Sequence, residues 1–158
     1  MTVSQVDFDR FFRATFPCLV ATLRLSGAPA DAEDIAQEAL VRTFTHFGTI
    51  DSPGPYAYRI AFRLIARSPS RRHAALRLRI AQQPAPVPTH DDSIALDLHR
   101  ALARLPPQQR ACAVLVICEG LTPAEVAAIV GVRASTVRSN LSKARKTLRR
   151  ALDPDPGP

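Results

Sequence analysis

The sequence predicts an all-α protein: two small helical domains joined by a flexible, Pro-containing linker, the second domain ending in a helix-turn-helix. Three observations predict it. Apolar residues recur at helical spacing in each long segment, and no stretch alternates like a strand over a useful length. The run Pro84-Ala85-Pro86-Val87-Pro88 is extended and semi-stiff rather than packed, and it separates two halves of unlike composition. Finally, Thr122 to Arg150 reads as one short helix, a tight turn and a longer basic helix. The expected boundaries are residues 1–82 for the first domain, 83–92 for the linker, 93–152 for the second domain and 153–158 for a disordered Pro-rich tail.

Taken in order, residues 4–25 carry Phe8, Phe11, Phe12, Phe16, Leu19, Val20 and Leu23 at helical spacing, with Pro17 predicting a kink or a break. The next helix opens at Asp31, a candidate cap, and runs to Phe47. Its first turns hold Asp31, Glu33, Asp34 and Glu38, with no base before Arg42. Two readings stay open: the acids complement the positive end of the helix dipole, or they form a docking face for a basic partner. Thr49 to Pro55 is dense in turn residues. A third helix follows from about Tyr56, with Ile60 and Leu64 inward and Arg59, Phe62, Arg63 and Arg67 outward or marginal. Tyr56, Tyr58 and Phe62 interleaved with Arg offer stacking and phosphate-binding groups together, the combination that single-stranded nucleic acid requires. Arg71 to Gln83 reads as a basic helical extension.

The second domain begins near Ser93, with Ile94, Leu98, Leu102 and Leu105 on one helix face. Pro106-Pro107 stops that helix and starts the next, whose run Ala111 to Cys118 is apolar all round and therefore central to a small bundle. Thr122 then caps a short helix, Pro123 suits its first position, Glu125 completes a capping box and Gly131 ends it. In the last helix Val137, Leu141, Ala144 and Leu148 form the inward stripe, and Arg138, Ser139, Ser142, Lys143 and Lys146 lie on the other side. A helix of this kind can lie in a DNA major groove.

Charge points the same way. Formal net charge is +7, and seven Arg between Arg59 and Arg79 plus seven Lys or Arg between Arg133 and Arg150 supply fourteen of the twenty-one cations, with no acid in either window. Two separate basic blocks imply two contacts with a polyanion, nucleic acid first and an anionic membrane surface second. Cys18, Cys112 and Cys118 lack CxxC spacing and read as small core hydrophobes in a reducing compartment. The four His (His46, His73, His90, His99) have no partner at metal spacing, so no metal or cofactor is expected. The longest apolar run, Ala111 to Cys118, is far short of the roughly 18 residues that span a bilayer, and no secretory signal opens the chain. The expected location is the cytoplasm. No GxxxxGK[ST], HExxH or GxSxG is present, and no catalytic constellation is found, so an enzyme is not expected.

As a set, three segments resemble those of a bacterial extracytoplasmic-function sigma factor, a small member of the primary sigma family: DAEDIAQEALVRTF (Asp31 to Phe44), YAYRIAFRLIA (Tyr56 to Ala66), and ALARLPPQQRACAVLVICEGLTPAEVAAIVGVRASTVRSNLSKARKTL (Ala101 to Leu148). The resemblance implies core RNA polymerase and promoter DNA as partners, with an anti-sigma factor as a further one. It implies polymerase binding by Asp34, Gln37 and Glu38, and capture of the opened downstream element by Tyr56, Tyr58, Arg59, Arg63 and Arg67. It implies duplex reading of the upstream element by Arg138, Ser139, Ser142, Lys143 and Lys146, with Arg133, Ser135 and Thr136 at the start of that helix. The chain departs from the family pattern at Tyr56, Arg63 and Arg133, where Trp, Asn and a capping Ser are usual. The alternative is a helix-turn-helix regulator that binds duplex DNA without being a polymerase subunit; such a protein has no need of the acidic Asp31 to Glu38 face.

Overall fold

A computed structural model describes residues 3–28, 30–67 and 93–152. The predicted linker, the basic extension from Arg71 and the Pro-rich tail lie outside the described residues.

The described chain is helical. In the first half, α1 spans Val3–Leu25, α2 Ala32–Phe44 and α3 Pro53–Arg67, with a short 3₁₀ turn at Phe47–Thr49. In the second, α4 spans Ser93–Ala103, α5 Pro107–Ala113, a π turn Val114–Cys118, α6 Pro123–Val130 and α7 Ala134–Leu152.

Local chemistry sets most of these limits. Helix α1 runs through Pro17 without a break, contrary to one of the two sequence expectations. Pro17 is exposed, while Leu19 and Leu23 are fully buried on the other side; burying each contributes about 1.5–3 kcal/mol, comparable to what an interior proline costs. Asp31 stands at the N-cap of α2, but its side chain makes no capping hydrogen bond, and its carbonyl accepts from the Ile35 N–H at 2.9 Å. That helix ends at Phe44, three residues before the expected Phe47, where the chain tightens into the 3₁₀ turn. Phe8 of α1 packs on Phe44 and Phe47, with ring centroids 4.7 and 5.2 Å apart, and this aromatic group fastens α1 to the end of α2. Helix α3 starts at Pro53, earlier than Tyr56, because a proline is well suited to a first helical position.

The helix-turn-helix has the predicted punctuation. The Glu125 N–H donates to Thr122 Oγ1 at 3.3 Å and the Thr122 N–H donates to the Glu125 carboxylate at 2.7 Å, the two reciprocal bonds of a capping box. The Thr122 hydroxyl also donates to the Glu125 carboxylate, at 2.8 Å, and the Thr122 N–H first and this hydroxyl second lower the Glu125 pKa. Gly131 takes a left-handed φ of 78° and ends α6.

The core runs through both halves. One continuous cluster holds Leu19 and Leu23 of α1, Leu40 of α2 and Ala57, Ala61 and Ile65 of α3 together with Cys112, Leu115, Val126, Ile129 and Val137 of the second half. Helix α3 packs along α6, so the two halves share this interior. A second cluster, around Leu102, Leu105, Val114, Ala144 and Leu148, belongs to the second half and also receives Leu25 of α1. Within α3 the buried face is therefore Ala57, Tyr58, Ala61 and Ile65, while Ile60 and Leu64, expected inward, are half-buried. The apolar run is buried from Ala111 to Leu115, but Ile117 and Cys118 face solvent. Cys18 is exposed as well, so only Cys112 is the core thiol all three were expected to be; burial raises its pKa.

Candidate nucleic-acid interface

Helix α7 sorts its residues by angle. Val137, Asn140, Leu141, Ala144 and Leu148 are buried, while Arg138, Ser139, Ser142, Lys143 and Lys146 are exposed. Arg138, Ser142, Arg145, Lys146 and Arg149, with Leu141, line one shallow groove along the helix. Ser139 and Lys143 fall on the adjoining strip, since positions three and four apart share a face. Arg145 and Arg149 were not singled out from the sequence, although their spacing of seven and eleven from Arg138 places them on its stripe. Arg133 immediately precedes the helix and is exposed, Ser135 is exposed in its first turn, and Thr136 is half-buried. Arg133 has no side-chain acceptor for the first helical N–H groups; its carbonyl accepts from the Val137 N–H at 3.1 Å. Asn140 braces the groove from behind by donating to Gln108 at 3.2 Å.

A second basic concavity lies between the end of α2 and α3. Arg42, Thr45, His46, Tyr56, Ile60, Arg63, Leu64 and Arg67 line a cavity of about 290 Å³. The Arg59 guanidinium carbon sits 5.1 Å from the centre of the Tyr56 ring, and the His46 ring lies 6.3 Å from the same ring. The site therefore offers an aromatic face and cations side by side. Arg42 and His46 come from a different helix and turn, so sequence spacing alone could not place them beside Tyr56. His46 had been read only as one of the scattered histidines.

Tyr58 is placed differently from the other four residues of its set. It is 6% exposed, on the opposite side of α3, and its hydroxyl donates to Glu119 at 2.7 Å. Burial first and Glu119 second push its pKa well above that of an ordinary phenol. In this arrangement Tyr58 cannot meet a base.

The acids of α2 form a third surface. Asp34, Gln37 and Glu38 are all exposed, and their spacing of three and four puts them on one face. Glu38 also pairs with Arg42 one turn on, and Glu33 reaches back to Arg24 at 2.7 Å. Such exposed pairs contribute about 0–1 kcal/mol, so they leave the face open to exchange for a partner's cations. Val41, 62% exposed, continues the same face with an apolar group.

The described residues, all in helices and turns, thus combine a helix-turn-helix carrying a basic groove, a second basic pocket and an acidic face, features that suit a nucleic-acid-binding protein of transcription. Residues 19–82 match Sigma-70 region 2 and residues 95–148 match Sigma-70 region 4. The chain is 34% identical over 154 residues to the ECF RNA polymerase sigma factor SigE of Mycolicibacterium smegmatis, covering 89% of this chain and 56% of that longer protein. It is 34% identical over 138 residues to ECF sigma factor SigF of Caulobacter vibrioides, covering 79% of this chain and 73% of that one. Against the RNA polymerase sigma-E factor of Streptomyces avermitilis it is 32% identical over 155 residues, covering 94% and 86%. The fold is shared with the sigma factor RpoE of Bartonella quintana, solved with the anti-sigma factor NepR, at a TM-score of 0.71 and 24% identity over 94% of this chain and 98% of that chain. The chain belongs to the extracytoplasmic-function sigma factors, which bind core RNA polymerase and direct promoter-specific initiation without themselves being enzymes. No described helix is long and apolar enough to cross a membrane.

Proposed function

We propose that the three surfaces divide the work of initiation. The exposed Asp34, Gln37 and Glu38 face of α2 docks a basic element of core polymerase. The α2–α3 pocket, with Tyr56, Arg59, Arg63 and Arg67 joined by Arg42 and His46, holds an unstacked base of the downstream element. The groove of α7, with Arg138, Ser142 and Lys146 joined by Arg145 and Arg149, reads the upstream element as duplex together with Ser139 and Lys143 on the adjoining strip, and Arg133, Ser135 and Thr136 meet it at the start of the helix. In this reading phosphate contacts position the protein and a few donors specify the sequence. Residues 1–82 and 93–152 act as two domains on a linker at 83–92, in the cytoplasm. An anti-sigma factor is a further partner, as one is for the Bartonella neighbour.

One observation carries most weight: Tyr56 lines the 290 Å³ pocket together with His46, Arg42, Arg63 and Arg67, and the Arg59 guanidinium lies 5.1 Å from its ring. An aromatic ring with arginines around it suits stacking of a splayed base with its phosphate neutralised. A plain duplex-binding regulator has no use for such a pocket. The test is run-off transcription of genomic fragments by core polymerase, with and without the chain, alongside a triple variant in which Asp34, Gln37 and Glu38 are each changed to Ala. New transcripts that depend on the chain and disappear with the triple variant are expected. Transcripts unchanged by the triple variant would remove the docking assignment, and duplex binding without any transcript would favour the regulator.

A further inference from the structure

One polar side chain is buried beneath the basic groove. Asn140 is 8% exposed, the only buried polar residue of the second half among the described residues, and it shares the inward side of α7 with Val137, Leu141, Ala144 and Leu148. It lies two positions after Arg138 and two before Ser142, and two steps along a helix carry a side chain to the far side. The groove that Arg138 and Ser142 line therefore faces away from the core while Asn140 points into it. Its amide Nδ2 donates to Gln108 Oε1 at 3.2 Å and to Cys112 Sγ at 4.0 Å. Gln108 and Cys112 stand one turn apart on α5, against which α7 packs. A leucine in place of Asn140 would continue the apolar stripe without the desolvation that a buried amide costs.

We propose that Asn140 and Gln108 are a positioning pair that fixes the rotation of α7 about its own axis, and so decides which base edges the groove residues reach. Burial of the apolar stripe is non-directional: it holds α7 against α5 but does not by itself set a rotation. A hydrogen bond is directional, and its donor–acceptor distance varies by only about 0.5 Å. A rotation of about 20° carries a group at the outer radius of a helix, about 5–6 Å from its axis, through about 2 Å. Such a shift takes Arg138 or Ser142 off a base edge, while a long cation still finds a phosphate. A single buried Asn sets the register of paired helices in the same way, at a cost in stability. The choice of bases rests on the duplex reading proposed above for α7; the Asn140–Gln108 bond does not.

The test uses polymerase loaded with the chain and a genomic fragment that it transcribes, together with every single base-pair change across the upstream element of that fragment. Affinity for each duplex is measured with wild type, Gln108→Leu, Gln108→Glu and Asn140→Leu, and the urea midpoint of each chain is recorded. At a base pair the helix reads, a wrong base weakens wild-type binding about 5- to 150-fold. In Gln108→Leu and Asn140→Leu that discrimination should fall by at least about fivefold or move to a neighbouring base pair, with the salt slope kept because no outward cation is touched. Gln108→Glu retains an acceptor for Asn140 and should retain the wild-type ranking. Lower stability with an unchanged ranking in Gln108→Leu overturns the positioning role and leaves the bond as packing. Equal loss of ranking in Gln108→Glu and Gln108→Leu overturns it too, since the acceptor is then not what matters. Gln108 is exposed, so its variants decide alone if Asn140→Leu does not fold. A wild-type chain indifferent to every base-pair change overturns the duplex reading itself, and the positioning role with it.

Discussion

The Tyr58 hydroxyl donates to the Glu119 carboxylate at 2.7 Å across 61 residues of chain, from one half of the protein to the other. A phenol donating to a carboxylate must keep its proton, and burial together with Glu119 raises the Tyr58 pKa well above the ordinary 10.0. The folded chain therefore holds this proton at a pH where the unfolded chain releases it. The resulting stability is fully present below about pH 10 and is lost as pH rises beyond it. The urea midpoint of the wild-type chain should fall more steeply between pH 9.5 and 11.5 than that of Tyr58→Phe. Lys and Arg background is common to both proteins, so parallel declines would show that Tyr58 is not the titrating group.

That contact also marks where sequence reading stops. The helices α1, α2, α3, α6 and α7 were legible, because apolar spacing, Pro at first positions and Gly131 are local signals. So was the capping box of Thr122 and Glu125, which spans three residues. The exposed rows on α2 and α7 follow from the same 3.6-residue period. The buried side of α3 was not legible: Ile60 and Leu64 satisfy the period nearly as well as Ala57, Ala61 and Ile65, and what decides between them is α6, brought in from far along the chain. His46 beside Tyr56 and Glu119 between Thr22 and Tyr58 are likewise products of packing. The wide π turn that aims Glu119 has no signal in its sequence, an ordinary apolar run.

Gly131 is the turn of the helix-turn-helix, and its role is one of backbone alone. A Cβ added there meets nothing within 4 Å, yet φ is +78°. Gly131→Ala should therefore lower stability by about 1–2 kcal/mol through left-handed strain, and Gly131→Asn by less, since Asn tolerates that region. Thr122→Ala, which removes the cap at the other end of α6, should cost about 0.5–2 kcal/mol. Urea midpoints with unchanged slopes would measure both. A Gly131→Ala chain as stable as wild type would mean that α6 can end without a left-handed residue.

The groove on α7 makes a prediction about salt. Arg145 and Arg149 line it with Arg138 and Lys146, and cations in such a row meet phosphates. Arg149→Ala should weaken upstream duplex binding similarly across sequences and reduce the slope of log affinity against log salt by about 1. Arg138, nearer the start of the helix where base edges are met, should instead change the ranking of duplexes when replaced by Ala. Fluorescence anisotropy across a salt series and a panel of duplexes separates the two. An Arg149→Ala slope identical to wild type would place that side chain off the phosphates.

The α2–α3 pocket should separate opening from binding. Tyr56 is flanked by Arg59 and His46, and a stacked base contributes about 1–3 kcal/mol, which corresponds to a roughly 5- to 150-fold change in an equilibrium. Tyr56→Ala should therefore lower promoter opening by core polymerase within that range, while duplex binding through α7 changes less than about twofold. Tyr56→Trp should restore opening, because it keeps the ring and enlarges the stacking face. His46→Ala should give a smaller loss of the same kind, since it removes one wall of the pocket but leaves Tyr56 and Arg59 in place. Permanganate reactivity of unpaired thymines reads opening, and anisotropy reads duplex binding on the same template. Equal losses in the two assays would move Tyr56 from base capture to general support of the fold, and the 6.3 Å contact between its ring and His46 would then be packing alone.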